Sequence, residues 1–215
     1  IPVALKCVSV DCSRAGSTAE LLKECDVLDK LDHPHVLRFY GIVDGDAPPS
    51  WLKGAHTPCL CCELLPGGTL LELLKRTTAV EAAEPSFWRG AAKHALGVAD
   101  GLSYLHAKEV MHRDLKAENL LLDNAGVVKI GDFGLAKARD ERLRQTVSVG
   151  TFSHMAPEVM RGSYDERADI FSFGIVITEL LLMQEAQDII ESTRTTEFGL
   201  AVHKLIAQLD PLHPE

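Results

Sequence analysis

His112-Arg113-Asp114-Leu115-Lys116-Ala117-Glu118-Asn119 and, thirteen residues after Asn119, Asp132-Phe133-Gly134 assemble a carboxylate, a lysine, an amide and a second carboxylate. In that order they suit the transfer of a phosphoryl group. Such a transfer asks little covalent work of a protein. It needs a held triphosphate, neutralised charge and a positioned hydroxyl. Carboxylate and amide oxygens are hard donors of the kind magnesium takes. Asp and Asn also favour ordinary turns, so a single short motif says little. Two motifs in order, with matching segments on each side, say much more.

These residues need a scaffold, and the pattern along the chain supplies one. Residues 1–10 alternate and are rich in valine, which predicts a strand carrying Lys6. Residues 17–31 are helical in pattern, with Leu21, Leu22, Cys25, Leu28 and Leu31 on one face, Ser17 or Thr18 as cap, and His33-Pro34 as terminator. Residues 36–43 read as another strand, 44–58 as a long polar loop, and 59–64 as a short strand. Pro66-Gly67-Gly68 marks a turn before a short helix over 69–76. Residues 86–107 form the longest helical pattern, with Ala92, Ala95, Leu96, Ala99, Leu102 and Leu105 as its expected buried face. Two short strands follow around 120–122 and 127–130, joined by the turn at 123–126. A polar segment runs from Gly134 to Pro157, then helix to about Met183, and helix again over 200–209. Strands first and helices later imply an α+β protein.

Composition narrows the class. The 215 residues are 46% hydrophobic and 25% charged, as in a soluble globular protein long enough to bury a substantial core. A net charge of -9 weighs against a nucleic-acid or anionic-membrane surface. The longest apolar run, Phe171 to Met183, is interrupted by Ser172, Gly174, Thr178 and Glu179, so it reads as a buried helix rather than a membrane span. No signal peptide is expected at the N-terminus. All six cysteines lie at positions 7 to 62; Cys59-Leu60-Cys61-Cys62 lacks a second pair at zinc spacing, and reduced thiols in an intracellular, cytoplasmic protein are the expectation.

Taken together, the motifs resemble those of a eukaryotic protein kinase over nearly all the chain. The resemblance implies a bilobal fold in one domain: a small β-rich N-lobe over 1–64, a larger helical C-lobe over 65–215, and a hinge near Glu63 to Pro66. It implies ATP and Mg2+ as co-substrate and cofactor, and a protein hydroxyl as acceptor. Val3-Ala4-Leu5-Lys6 resembles the strand motif whose lysine grips the α- and β-phosphates. Glu24, ahead of Leu31-Asp32-His33-Pro34, resembles its helix partner, with Glu20 as the alternative one turn earlier. Asp114 corresponds to the carboxylate that accepts or orients the hydroxyl proton, Lys116 to the residue that neutralises the transferring phosphate, and Asn119 and Asp132 to the magnesium ligands. Cys62 would guard the back of the adenine pocket, Glu63 and Leu65 would offer backbone hydrogen bonds to adenine, and Ala4 and Leu121 would sandwich its ring. His112 and Phe133 would be packing residues, and Asp169 would brace the loop around Asp114. Arg113 would receive an activation-loop phosphate through bidentate pairing. Ala156-Pro157-Glu158 closes that segment; Thr146 or Ser148 is its expected phosphorylation site, and Thr151 resembles the residue beside the catalytic aspartate.

Lys116, with lysine rather than alanine at its position, is similar to the Ser/Thr class. Gly67-Gly68-Thr69-Leu70, Gly150-Thr151 and Met155-Ala156-Pro157-Glu158 resemble the tyrosine-kinase-like group, with its Raf-like and mixed-lineage kinases. Thr196-Glu197-Phe198-Gly199-Leu200 resembles the LIM-kinase and testis-specific-kinase branch more narrowly, and because the tyrosine-kinase-like group is mixed, tyrosine stays open as a second acceptor. The family pattern also includes a glycine-rich loop ahead of Lys6 and helices after Glu215, so these residues read as a truncated kinase domain. On its own such a fragment is expected to bind nucleotide weakly and to expose apolar surface. His154 and Phe171 stand where the family has other aromatic residues. The rival readings are a pseudokinase scaffold, against which the retention of Lys6, Asp114, Asn119 and Asp132 argues, and a small-molecule phosphotransferase, against which Lys116 and Ala156-Pro157-Glu158 argue. An upstream kinase or autophosphorylation would act on the chain.

Overall fold

The computed structural model describes residues 2–7, 25, 28–43, 59–132, 153–160, 165–186 and 188. Three strands form one antiparallel sheet: β1 (Val3–Cys7), β2 (Phe39–Val43) and β3 (Cys59–Glu63), in the order β1-β3-β2. Ala4 faces Cys62 and Lys6 faces Leu60 across the β1–β3 ladder. Side chains alternate along a strand, so these four share one face of the sheet. The β2–β3 register slips between Phe39 and Gly41, and Gly41 takes a φ of 139° there. The strand expected from residue 36 therefore begins at Phe39, while Val36 makes an isolated parallel bridge to Ile130.

Seven residues after β3, the chain enters α1 (Leu70–Arg76). Thr69 caps it through a reciprocal box: its side chain accepts from the Glu72 N–H, and the Glu72 carboxylate accepts from the Thr69 N–H. A short α2 (Ala79–Ala82) and the long α3 (Pro85–Ala107) follow. After a 3₁₀ turn at Ala117–Asn119 come β4 (Leu120–Leu122) and β5 (Val128–Ile130), paired antiparallel as a small second sheet. The helices α4 (Pro157–Met160) and α5 (Arg167–Leu182) complete the described elements. Strands gather early and helices late, which is the α+β, bilobal arrangement expected.

The buried face of α3 differs from the expected one. Leu102 and Leu105 are buried, but Ala92, Leu96 and Ala99 are exposed, and Leu96 is 70% accessible. The inward face runs instead through Ala91, Gly97, Val98 and Gly101. Close approach of backbones decides this. A β-carbon on Gly97 would sit 2.7 Å from the His35 ring and 2.8 Å from Val128, and one on Gly101 would sit 2.8 Å from both the His35 carbonyl oxygen and Ile130. The two glycines let β5 and the chain at His35 lie directly on the helix.

The core is continuous from α3 through the small sheet to α1. Leu70, Leu102, Leu105, Leu115, Leu120, Val128 and Ile130 are each at most 2% exposed. Burial of a side chain of this size contributes about 1.5–3 kcal/mol. Cys25 and Leu28 are helical and buried in the same cluster, while the rest of the helix expected over 17–31 up to Asp29, the loop over 44–58 and the helix over 200–209 lie outside the described residues.

The Leu31-Asp32-His33-Pro34 corner docks on α3. The His33 ring stacks on Tyr104 at 4.7 Å, and the Tyr104 hydroxyl accepts the Asp32 N–H at 3.0 Å. His35 holds the Val128 carbonyl through Nδ1 at 2.8 Å, and backbone bonds join Leu37 and His35 to Ile130. Strand β5 is thereby fixed just before Gly131 and Asp132.

Candidate active site

The turn carrying Asp114 is held from below by one buried carboxylate. Asp169, in the first turn of α5, is 1% exposed. Its Oδ1 accepts the Arg113 N–H at 2.8 Å, and its Oδ2 accepts the His112 N–H at 2.9 Å and lies 2.8 Å from His106 Nε2. A buried carboxylate is tolerated only when donors surround it, and three do. These bonds hold Arg113 at a φ of 66°, a left-handed conformation that costs energy for a side-chain-bearing residue. The brace expected of Asp169 is in place.

Above it, Asp114, Lys116 and Asn119 form one cluster. Asn119 Nδ2 donates to the Asp114 carbonyl at 2.7 Å and to Asp114 Oδ2 at 3.0 Å. Lys116 Nζ lies 3.1 Å from the same Oδ2. With its amide nitrogen committed to Asp114, Asn119 has its side-chain carbonyl as the remaining donor atom. The Gly131 N–H donates to the Asn119 carbonyl at 2.9 Å, and His112 Nε2 lies 2.8 Å from the Gly131 carbonyl. Both bonds set Asp132 beside this cluster. Asp132 itself has a φ of 54°.

Lys6 on β1 reaches Asp132 in a direct ion pair across 126 residues of sequence. Both side chains are about half exposed, at 53% and 47%. Five of the expected site residues thus come from β1, the turn before β4 and the end of β5, and the fold brings them together.

The remaining expectations divide. Cys62 is half-buried opposite Ala4, and burial, with the neighbouring Cys61, pushes its thiol up to about 11 against a lowering pull from Lys6. Leu65 and Leu121 are half-buried, and Leu121 bridges to Thr69. The Glu63 side chain is engaged in a way the sequence did not suggest: its Oε1 accepts the Arg38 N–H at 2.7 Å and lies 2.9 Å from Lys129 Nζ. That carboxylate ties β3 to β5 at the segment expected to be the hinge. His112 is fully buried, as a packing residue would be. Glu24, Glu20, Phe133, Thr146, Ser148 and Thr151 lie outside the described residues.

Glu179 entered the sequence reading only as an interruption of an apolar run. It is 2% exposed, its Oε1 accepts the Ala186 N–H at 2.8 Å, and its Oε2 lies 3.2 Å from His154 Nε2. A charged residue inside an apolar helical run was the available signal, because such residues are seldom buried without a partner.

Comparison with known proteins agrees with this geometry. The model of the protein kinase domain family matches residues 1–210. Serine/threonine-protein kinase STY46 of Arabidopsis thaliana is 36% identical over 180 residues, covering 83% of this chain and 29% of that protein. Dual specificity testis-specific protein kinase 1 of Mus musculus is 39% identical over 196 residues, covering 87% of this chain and 29% of that protein. Probable serine/threonine-protein kinase kinX of Dictyostelium discoideum is 35% identical over 215 residues, covering 98% of this chain and 18% of that protein. The chain therefore spans less than a third of the length of these relatives. Among the described residues no helix is long and apolar enough to cross a membrane.

Proposed function

Because the chain belongs to the protein kinase domain family, we propose that it transfers the γ-phosphoryl group of ATP to serine and threonine hydroxyls of protein substrates, with tyrosine as a second acceptor class. The observation that carries the reading is the chain of contacts that links Lys6, Asp132, Asn119, Asp114 and Lys116 from distant parts of the sequence. Residues 1–64 then act as the nucleotide-holding lobe and 65–215 as the substrate-holding lobe.

In this reading Asp114 orients the acceptor hydroxyl and takes its proton. Both contacts given above fall on Oδ2, which leaves Oδ1 for the incoming O–H. Lys116 stays beside that carboxylate and meets the negative charge of the phosphoryl group as it moves. Asn119 and Asp132 offer an amide oxygen and a carboxylate, a donor set that fits Mg2+. Bound there, magnesium neutralises phosphate charge. Lys6 moves from Asp132 to the α- and β-phosphates, with Glu24 as its partner. Ala4, Cys62 and Leu121 enclose the adenine ring, and the backbone at Glu63 and Leu65 supplies its hydrogen bonds. A phosphate on Thr146 or Ser148, set by an upstream kinase or by the protein itself, pairs with Arg113, while Thr151 packs beside Asp114. An intracellular compartment supplies the ATP.

The test is transfer of labelled γ-phosphate from Mg-ATP to a generic protein, using the full-length protein beside its Asp114→Asn form. Loss of a positioned base lowers transfer about 10²–10⁴-fold, with label on serine and threonine in the unmutated protein. ATP binding without transfer in either form is the result that favours a scaffold.

A further inference from the structure

All six cysteines of the chain lie at positions 7 to 62, and the β1–β3 ladder sets two of them opposite each other: Cys7 is the direct partner of Cys59. No other cysteine opposes a cysteine in the described ladders. Cys61 is partnered by Leu5 and Gly41, Cys62 by Ala4 and Phe39, and Cys59 by Val43 on its β2 side. Directly opposed residues of an antiparallel pair have α-carbons about 4.5–5.5 Å apart. A disulfide spans α-carbons about 4.4–6.8 Å apart, so the register meets its first requirement. Cys7 ends β1 and follows Lys6, and alternation places the two on opposite faces of the sheet. Cys59 is fully buried in the central strand of the three. A thiol at that depth is reached by an opposed cysteine more readily than by a bulky thiol such as glutathione.

We propose that Cys7 and Cys59 are a redox modification site: hydrogen peroxide joins them in a cross-strand disulfide, and the bond lowers nucleotide use by shifting Lys6. One thiol attacks a peroxide oxygen, giving a sulfenic acid and one water. The second thiol attacks that sulfur and displaces a second water. Two thiols and one peroxide thus yield one disulfide and two waters; the sulfurs are oxidised and the peroxide oxygens reduced. The bond draws β-carbons to about 3.8 Å, from about 4.5–5.5 Å in an open ladder. The strands therefore close by about 1 Å beside Lys6, and a displacement of that size costs up to about 10²-fold in rate. In a reducing compartment such a bond is transient, as a sensor requires. The bond itself is independent of the protein-kinase reading above; its effect on transfer rests on that reading.

The experiment treats the full-length protein with hydrogen peroxide, blocks remaining thiols by alkylation, digests without reduction and maps linkages by fragmentation mass spectrometry, beside Cys7→Ser and Cys59→Ala. The expected result is a bond between positions 7 and 59 in the unmutated protein and in neither variant. Transfer of labelled phosphate falls at least about tenfold in the oxidised protein, through KM for ATP, and returns with dithiothreitol. Both variants keep their transfer through the same treatment. Peroxide-treated protein in which both cysteines remain open to alkylation, or in which either is linked elsewhere, overturns the proposal. So does a mapped bond with unchanged transfer, or an equal loss of transfer in the two variants. Should Cys59→Ala not fold, Cys7→Ser decides alone, since it also removes the bond. Absence of transfer in the reduced, unmutated protein is a different failure, of the kinase reading; it removes the effect on transfer, while the linkage map, made without ATP, still decides the site.

Discussion

The two sides of the cleft are built differently. On one side, Asp169 is buried and receives three donors, Asn119 is 5% exposed and bonds Asp114 twice, and Gly131 is tied to both Asn119 and His112. On the other, Lys6 reaches Asp132 through an ion pair with both partners half exposed. The first is a preorganised support, in which each polar group fixes the next. The second is a contact that water competes for, suited to exchange when a phosphate arrives. Under the proposed function, precision resides where the proton would be taken, and adaptability where the nucleotide would enter.

Removal of Asp169 tests the stiff side most severely. Asp169→Ala strands the backbone donors of His112 and Arg113 and removes the partner of His106. Breaking a buried charged network from one partner costs about 3–5 kcal/mol. Chemical denaturation should show a loss of that order. A loss under about 1 kcal/mol would put Asp169 in the class of exposed pairs and erase the contrast.

Gly101→Ala probes the support one layer below. The new methyl would meet the His35 carbonyl oxygen and Ile130, both at 2.8 Å. Alanine favours a helix by about 1 kcal/mol over glycine, whereas overpacking costs about 1–3 kcal/mol. Backbone oxygen yields little, so the clash should win, by up to about 2 kcal/mol. Because Ile130 leads directly to Gly131 and Asp132, the same substitution should lower phosphoryl transfer. A stabilised Gly101→Ala would show that this approach is looser than the distances indicate.

How much of this was legible beforehand follows the same division. The Asp114 and Asp132 motifs are local strings, and the bonds of Gly131 to Asn119 and His112 set them side by side. The Thr69 and Glu72 capping box was open to reading for the same reason, being three residues apart. The face of α3 was misread because apolar periodicity weighs side chains, and the decisive residues there, Gly97 and Gly101, have none. The Glu63–Lys129 tie and the His154–Glu179 pair join residues 66 and 25 positions apart, through geometry that no local pattern encodes.

The smallest stability effect belongs to the adaptable side. Lys6→Met removes one ion pair whose members are 53% and 47% exposed. Exposed pairs contribute about 0–1 kcal/mol, since solvent screens them and ordering two side chains costs entropy. Thermal denaturation of Lys6→Met should therefore match the unmutated protein to within about 1 kcal/mol, while nucleotide-dependent transfer collapses. That separation is the sharpest form of the contrast, because Asp169→Ala should lose stability and transfer together. If Lys6→Met were as destabilising as Asp169→Ala, the pair with Asp132 would be a structural strut, and the nucleotide side of the cleft would be as fixed as the side that holds Asp114.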